Sequence, residues 1–124
     1  MEPLKIEKGV DTPEIILDAQ NNLFSICGRS YPEDTKEFFT PVIDWMEKYI
    51  QSPNEETVFT FKLQYFNSSS YKPIFDILSK LEAVKEKGKS VKVNWQYKKA
   101  DHDMQEAGEE FAEMVNIPFT FSSI

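Results

Sequence analysis

Three stretches in the second half of the chain alternate apolar and polar residues with a period of two: 57–66 (TVFTFKLQYF), 90–97 (SVKVNWQY) and 117–124 (IPFTFSSI). That period sends successive side chains to opposite faces of a β-strand. In the first stretch Phe59, Phe61, Leu63 and Tyr65 face one way and Thr60, Lys62 and Gln64 the other. In the second, Val91, Val93, Trp95 and Tyr97 oppose Lys92, Asn94 and Gln96; in the third, Phe119 and Phe121 point together, away from Thr120 and Ser122. The segments between them change to a helical period. Ile74, Ile77, Leu78, Leu81 and Val84 stripe residues 70–87, and Met104, Ala107, Gly108, Phe111, Ala112 and Val115 stripe 101–116. Strand, helix, strand, helix, strand implies parallel strands joined by right-handed crossovers. Parallel strands covered on both faces read as continuous apolar runs, and these do not. The expected architecture is therefore a two-layer α/β domain, a mixed β-sheet with helices mainly on one face and an open polar face on the other.

The first half extends that sheet. Residues 4–8 read as a short strand, and EIILDA (14–19) and LFSICGR (23–29) as a hairpin closed by the polar QNN. A helix follows, its start marked by Pro32, Glu33 and Asp34. Phe38, Val42, Trp45 and Tyr49 share one of its faces, and Pro41 is expected to kink or split it. No repeat, low-complexity tract or linker interrupts residues 1–124, which read as a single domain.

Ten Phe, five Tyr and two Trp in 124 residues can fill a real core. The formal net charge of −7 argues against general binding to nucleic acid or to an anionic membrane, since both repel such a chain. No apolar run approaches the roughly 20 residues that span a bilayer, and the N-terminus lacks the basic-then-apolar profile of a signal peptide. A lone cysteine, Cys27, permits no internal disulfide and reads as a small buried hydrophobe. These features suit a protein of a reducing compartment, the cytoplasm.

Catalytic patterns are sparse. The only histidine, His102, opens the acidic helix and reads as a solvated residue. FNSSSY is not a G-x-S-x-G elbow, and four glycines form no nucleotide-binding fingerprint. Zinc sites need clustered Cys and His. No catalytic residue, metal or cofactor is expected. Asp101, Asp103, Glu106, Glu109, Glu110 and Glu113 fall on the wet side of their helix, and a solvated face is the plain reading.

The stretch YFNSSSYKP (65–73) is more informative. Asn67, Ser68, Ser69 and Ser70 lie where a strand's carboxyl end meets a helix N-terminus, the place where sites gather in open α/β sheets. The plain reading is capping of the helix, worth roughly 1 kcal/mol. The sharper one is that a hydroxyl here is phosphorylated, beside free N–H groups and with Lys72 close in sequence. On physical grounds alone the plain reading leads, and all three serines stay in play.

FKLQYFNSSSYKPIFDIL, TPEIILDAQNNLFSICGRSYPEDTKEFFTPVIDWMEKY and VNWQY with DHDMQEAGEEFAEMVNIPF resemble the SiaC family of regulatory phosphoproteins over nearly the whole chain. GRSYPED and YFNSSS carry most of the specificity. The resemblance implies a STAS-like fold, related to the anti-sigma factor antagonists. It implies a non-enzymatic switch in which a protein kinase modifies a hydroxyl before the helix and a PP2C-type phosphatase removes the phosphate. The unmodified form would bind and activate a diguanylate cyclase, linking the switch to cyclic-di-GMP and biofilm control. The family's acceptor, often Thr in a YFNTSS-like context, maps onto Ser68, with Ser69 and Ser70 as alternatives. Asn67, Ser69, Ser70, Tyr71 and Lys72 would form part of the docking loop. A second role on the same fold is an anti-sigma factor antagonist that sequesters a GHKL-type kinase.

Overall fold

A computed structural model describes residues 1–124. Six strands and three α-helices follow in the order β1 (Leu4–Ile6), β2 (Glu14–Asp18), β3 (Leu23–Ser30), α1 (Thr35–Gln51), β4 (Glu56–Phe66), α2 (Tyr71–Glu86), β5 (Ser90–Tyr97), α3 (His102–Met114) and β6 (Phe119–Ser123). The sheet order is the chain order, β1 to β6. β1, β2 and β3 are antiparallel neighbours, and β3 to β6 run parallel. Because each parallel strand is laid beside its predecessor in one direction, crossovers of one hand place every helix on the same side.

Burial follows. Phe59, Phe61 and Leu63 of β4 and Val91, Val93 and Trp95 of β5 are buried beneath the helices. Thr60, Asn94 and Gln96 are half-buried and Lys62, Gln64, Lys92, Thr120 and Ser122 exposed, so the open polar face exists as the alternation requires. Opposite the sheet, Phe39, Val42, Trp45, Met46 and Tyr49 of α1 and Ile74, Ile77, Leu78, Leu81 and Val84 of α2 close the core.

α3 packs by a different device. Gly108 lies under the Trp95 indole, and a Cβ there would come within 2.5 Å of the ring. The missing side chain lets the helix approach closely enough for Trp95 Nε1 to donate to the Met104 carbonyl at 2.9 Å. Glycine in a helix interior is about 1 kcal/mol worse than alanine, and here the closer packing offsets that.

Three expectations need correction. Pro41 neither splits nor ends its helix, which runs unbroken from Thr35 to Gln51. It sits on the exposed side, where the Glu37 carbonyl that it leaves without a donor can turn to water. Tyr65 does not share a face with Leu63. Gly28 pairs with Leu63 and Arg29 with Tyr65, so Gln64 is an extra residue, a β-bulge. Past it the alternation inverts: Tyr65 is 40% exposed beside Tyr31, ring centroids 5.8 Å apart and the Arg29 guanidinium 5.3 Å from its ring, while Phe66 turns inward onto Phe111. Cys27 is half-exposed and not a core residue; its neighbour across β3 and β4 is Lys62, on the polar face.

Candidate functional site

The loop between β4 and α2 starts at Asn67, whose N–H donates to the Ser30 carbonyl at 3.0 Å. Residues Ser68–Ser70 form a single 3-10 turn before α2. Asn67, in extended conformation, caps that turn by accepting the Ser70 N–H on Oδ1 at 3.1 Å. Ser70 precedes α2 but makes no cap bond to it with its side chain.

The three serines have three environments. Ser70 is fully buried. Its hydroxyl lies 2.7 Å from Asn67 Oδ1 and 2.9 Å from Ser30 Oγ. A hydroxyl has one proton. Given to Asn67 at the shorter distance, it leaves the Ser70 oxygen to accept from Ser30, whose hydroxyl is also fully buried. The Ser69 hydroxyl is exposed and hydrogen-bonded to Thr35 Oγ1 at 2.6 Å, which ties the turn to the first residue of α1. The Ser68 side chain is exposed and engages no other side chain, while its carbonyl accepts the Tyr71 N–H.

Tyr71 and Lys72 flank the turn on its helix side. The Tyr71 ring stacks on Phe111 with centroids 4.8 Å apart, and its hydroxyl donates to Met114 Sδ at 2.9 Å. Lys72 Nζ lies 3.0 Å from Asp76 Oδ2, with the lysine side chain 81% exposed. Such an i, i+4 pair in water contributes about 0.5 kcal/mol or less, so the ammonium is free to move. Between α1 and α2 the surface opens into a groove of about 450 Å³, with Phe39, Ile43 and Pro73 among its lining residues and Thr35, Ser69 and Lys72 along it.

The structure thus brings Asn67, Ser68, Ser69, Ser70, Tyr71 and Lys72 together at one end of the sheet. It adds Ser30 and Thr35, 40 and 34 residues from their partners. Neither carries a local motif. Ser30 does lie within GRSYPED, the segment that with YFNSSS carries the family resemblance, and the hydrogen bonds between the two segments join them. His102 and the α3 carboxylates at positions 103, 106, 109, 110 and 113 are exposed, as a solvated helix face requires.

Known proteins place this arrangement. Residues 6–124 match the family described as SiaC family regulatory phosphoprotein. An uncharacterised protein of Pseudomonas aeruginosa strain UCBPP-PA14 is 35% identical over 123 residues, covering 99% of this chain and 98% of its own. The crystal structure of apo-SiaC from Pseudomonas aeruginosa superposes with a TM-score of 0.90 at 35% identity, covering 99% of this chain and all of that one. SiaC in a crystal structure with the diguanylate cyclase SiaD, which it activates, superposes with a TM-score of 0.89 at 34% identity, covering 98% of this chain and 99% of that one. With the match running from β1 to the last residue and the same fold at both ends of it, this chain belongs to the SiaC family of regulatory phosphoproteins.

Proposed function

We propose that this chain is a non-enzymatic, phosphorylation-switched signalling protein of the cytoplasm. In its unmodified form it binds and activates a diguanylate cyclase, and so acts on cyclic-di-GMP and biofilm formation. A protein kinase phosphorylates Ser68 and blocks that binding, and a PP2C-type phosphatase restores it. The observation that carries the reading is the contrast among adjacent serines. Ser68 offers an exposed hydroxyl with no other side chain on it, Ser69 is tied to Thr35, and Ser70 is buried. Supporting it further, SiaC from Pseudomonas aeruginosa, which shares this fold, is found in complex with a diguanylate cyclase. No helix here is long and apolar enough to cross a membrane.

The switch follows from charge. A phosphoryl group adds about −1.5 to −2 charges at neutral pH. The Ser70 and Tyr71 amides already donate within the loop, and the mobile Lys72 ammonium, an exposed charge in water, screens a new anion only weakly. A phosphate on Ser68 is therefore left at the surface with little compensation, one residue from the groove that Ser69 lines. A partner covering that surface must strip water from an unpaired dianion, and its affinity falls without refolding of this chain.

Cyclase affinity of three forms tests this: wild type, Ser68→Ala, and protein phosphorylated by its kinase. The first two are expected to bind alike and to raise cyclase output. The third is expected to bind at least ~100-fold more weakly, about 3 kcal/mol. Equal affinity across all three overturns the reading.

A further inference from the structure

The chain exposes eight large apolar side chains. Scattered singly such residues are ordinary on a surface, whereas contiguous ones mark contact sites. Four of the eight meet in two pairs. Tyr31 and Tyr65 stack with ring centroids 5.8 Å apart. Tyr71 donates its hydroxyl to Met114 Sδ at 2.9 Å. Both pairs flank Ser68. Tyr65 lies three residues before it and Tyr71 three after, each within about 11 Å along the chain. Tyr31 follows Ser30, whose carbonyl accepts the Asn67 N–H at 3.0 Å. The pairs also share a base: Phe66, next to Tyr65, and Tyr71 both pack on Phe111, with centroids 6.2 and 4.8 Å away.

The strand departs from regularity to make this surface. Without the extra residue Gln64, Tyr65 would follow Leu63 inward; the bulge turns it out beside Tyr31. Charge is placed around the pairs as well. The Arg29 guanidinium, opposite Tyr65 in the β3–β4 register and 5.3 Å from its ring, is exposed and takes part in none of the three ion pairs of the molecule. A depression of about 240 Å³ is lined by Tyr65, Phe66, Met104 and Ala107 together with Asp101 and Asp103. The Asp101 carboxylate accepts the Met104 N–H, whereas exposed Asp103 has no cation on it.

A specific interface buries about 800 Å² on each side, so one centred on Ser68 reaches about 15 Å from it. A partner turned away by a phosphate on Ser68 has to cover that residue, and it then meets both pairs. Tyr, Met and Arg are the residues enriched where such interfaces are buried most deeply. We infer that the Tyr31–Tyr65 and Tyr71–Met114 pairs, with Arg29 and Asp103 beside them, anchor the partner that Ser68 controls. That partner is the cyclase of the reading above, on which this inference rests. The partner surface that fits is apolar at its centre, with a carboxylate over Arg29 and an ammonium or guanidinium against Asp103. A phosphate on Ser68, flanked in the chain by both pairs, is desolvated by the same contacts that hold the partner.

Binding of the full chain to the cyclase, with and without phosphate on Ser68, tests this. Tyr65→Ser is expected to weaken binding by about thirtyfold, and Tyr65→Phe, which keeps the ring, to bind near wild type. Arg29→Gln is expected to weaken binding by about fivefold and to flatten the fall of affinity with salt, a readout that lost packing alone would not move. Leu23→Ser makes a similar change at an exposed residue at the far end of β3 and is expected to bind as wild type. Should Tyr65→Ser fail to fold, Met114→Ser carries the test, with an expected loss of about tenfold. A folded Tyr65→Ser chain that binds as wild type, while the phosphate still blocks binding, overturns the anchors and leaves the switch standing. So does a Leu23→Ser chain weakened as much as Tyr65→Ser. Loss with Tyr65→Ser but no effect of the phosphate supports the anchors and overturns the switch. A wild type that does not bind the cyclase overturns both.

Discussion

Two of the three helices begin alike. Asp34 accepts the Glu37 N–H at 3.0 Å and starts α1; Asp101 accepts the Met104 N–H at 3.0 Å and starts α3. Each is one extended or near-extended residue whose carboxylate serves a donor three positions on. α2 starts with far more apparatus: a 3-10 turn, its own cap at Asn67, a buried Ser70 that leaves α2 uncapped, and tethers to Ser30 and Thr35. A helix needs only one side chain to begin. The surplus at α2 ties a short turn from below and from the side and leaves one exposed hydroxyl, that of Ser68, without a side-chain partner. That untethered hydroxyl is the one to which the proposed modification is assigned.

The contrast can be broken at the buried end first. Ser70→Ala removes the oxygen that Ser30 and Asn67 share and strands polar groups in a dry site; thermal or urea unfolding is expected to show a loss of about 1–3 kcal/mol. Asp101→Ala removes a simple cap, and the same measurement is expected to give about 1 kcal/mol. Should Asp101→Ala prove the costlier of the two, the serine loop is not the reinforced start described here. Ser69→Ala cuts the exposed bond to Thr35 and is expected to lower stability by less than about 1 kcal/mol, while slowing phosphorylation because the turn loses its side tether. Thr35→Ser, which keeps the hydroxyl, is expected to leave that rate near wild type. Ser68→Ala has nothing to break inside the fold, and its unfolding free energy should stay within about 0.5 kcal/mol of wild type.

How far the sequence reveals this depends on the range of the interactions. The one-sided sheet is legible because alternation in 57–66, 90–97 and 117–124 is local and repeated three times. The starts of α1 and α3 are legible for the same reason, an acidic residue before an amphipathic run. The bulge at Gln64 is hidden. Gln64 itself carries no mark; the one local hint is Gly28, a glycine inside the paired strand at φ 114, and Tyr65 reads as a core residue until the register is known. Cys27 misleads in the same way: its apolar neighbours in sequence face the core while it faces Lys62 across the strands. At the loop, position and composition point to all four of Asn67 to Ser70, and the family resemblance points to Ser68. What separates the serines physically is burial against Ser30 and a bond to Thr35, contacts that reach across 40 and 34 residues and leave no local trace.

Peptide mass spectrometry of the protein isolated from cells in which its kinase is active asks directly which hydroxyl the frame presents. A single phosphate on Ser68, with Ser69 and Ser70 unmodified, is the expected result. A phosphate on Ser70, or on Ser69 with Ser68 free, would contradict the assignment of the switch.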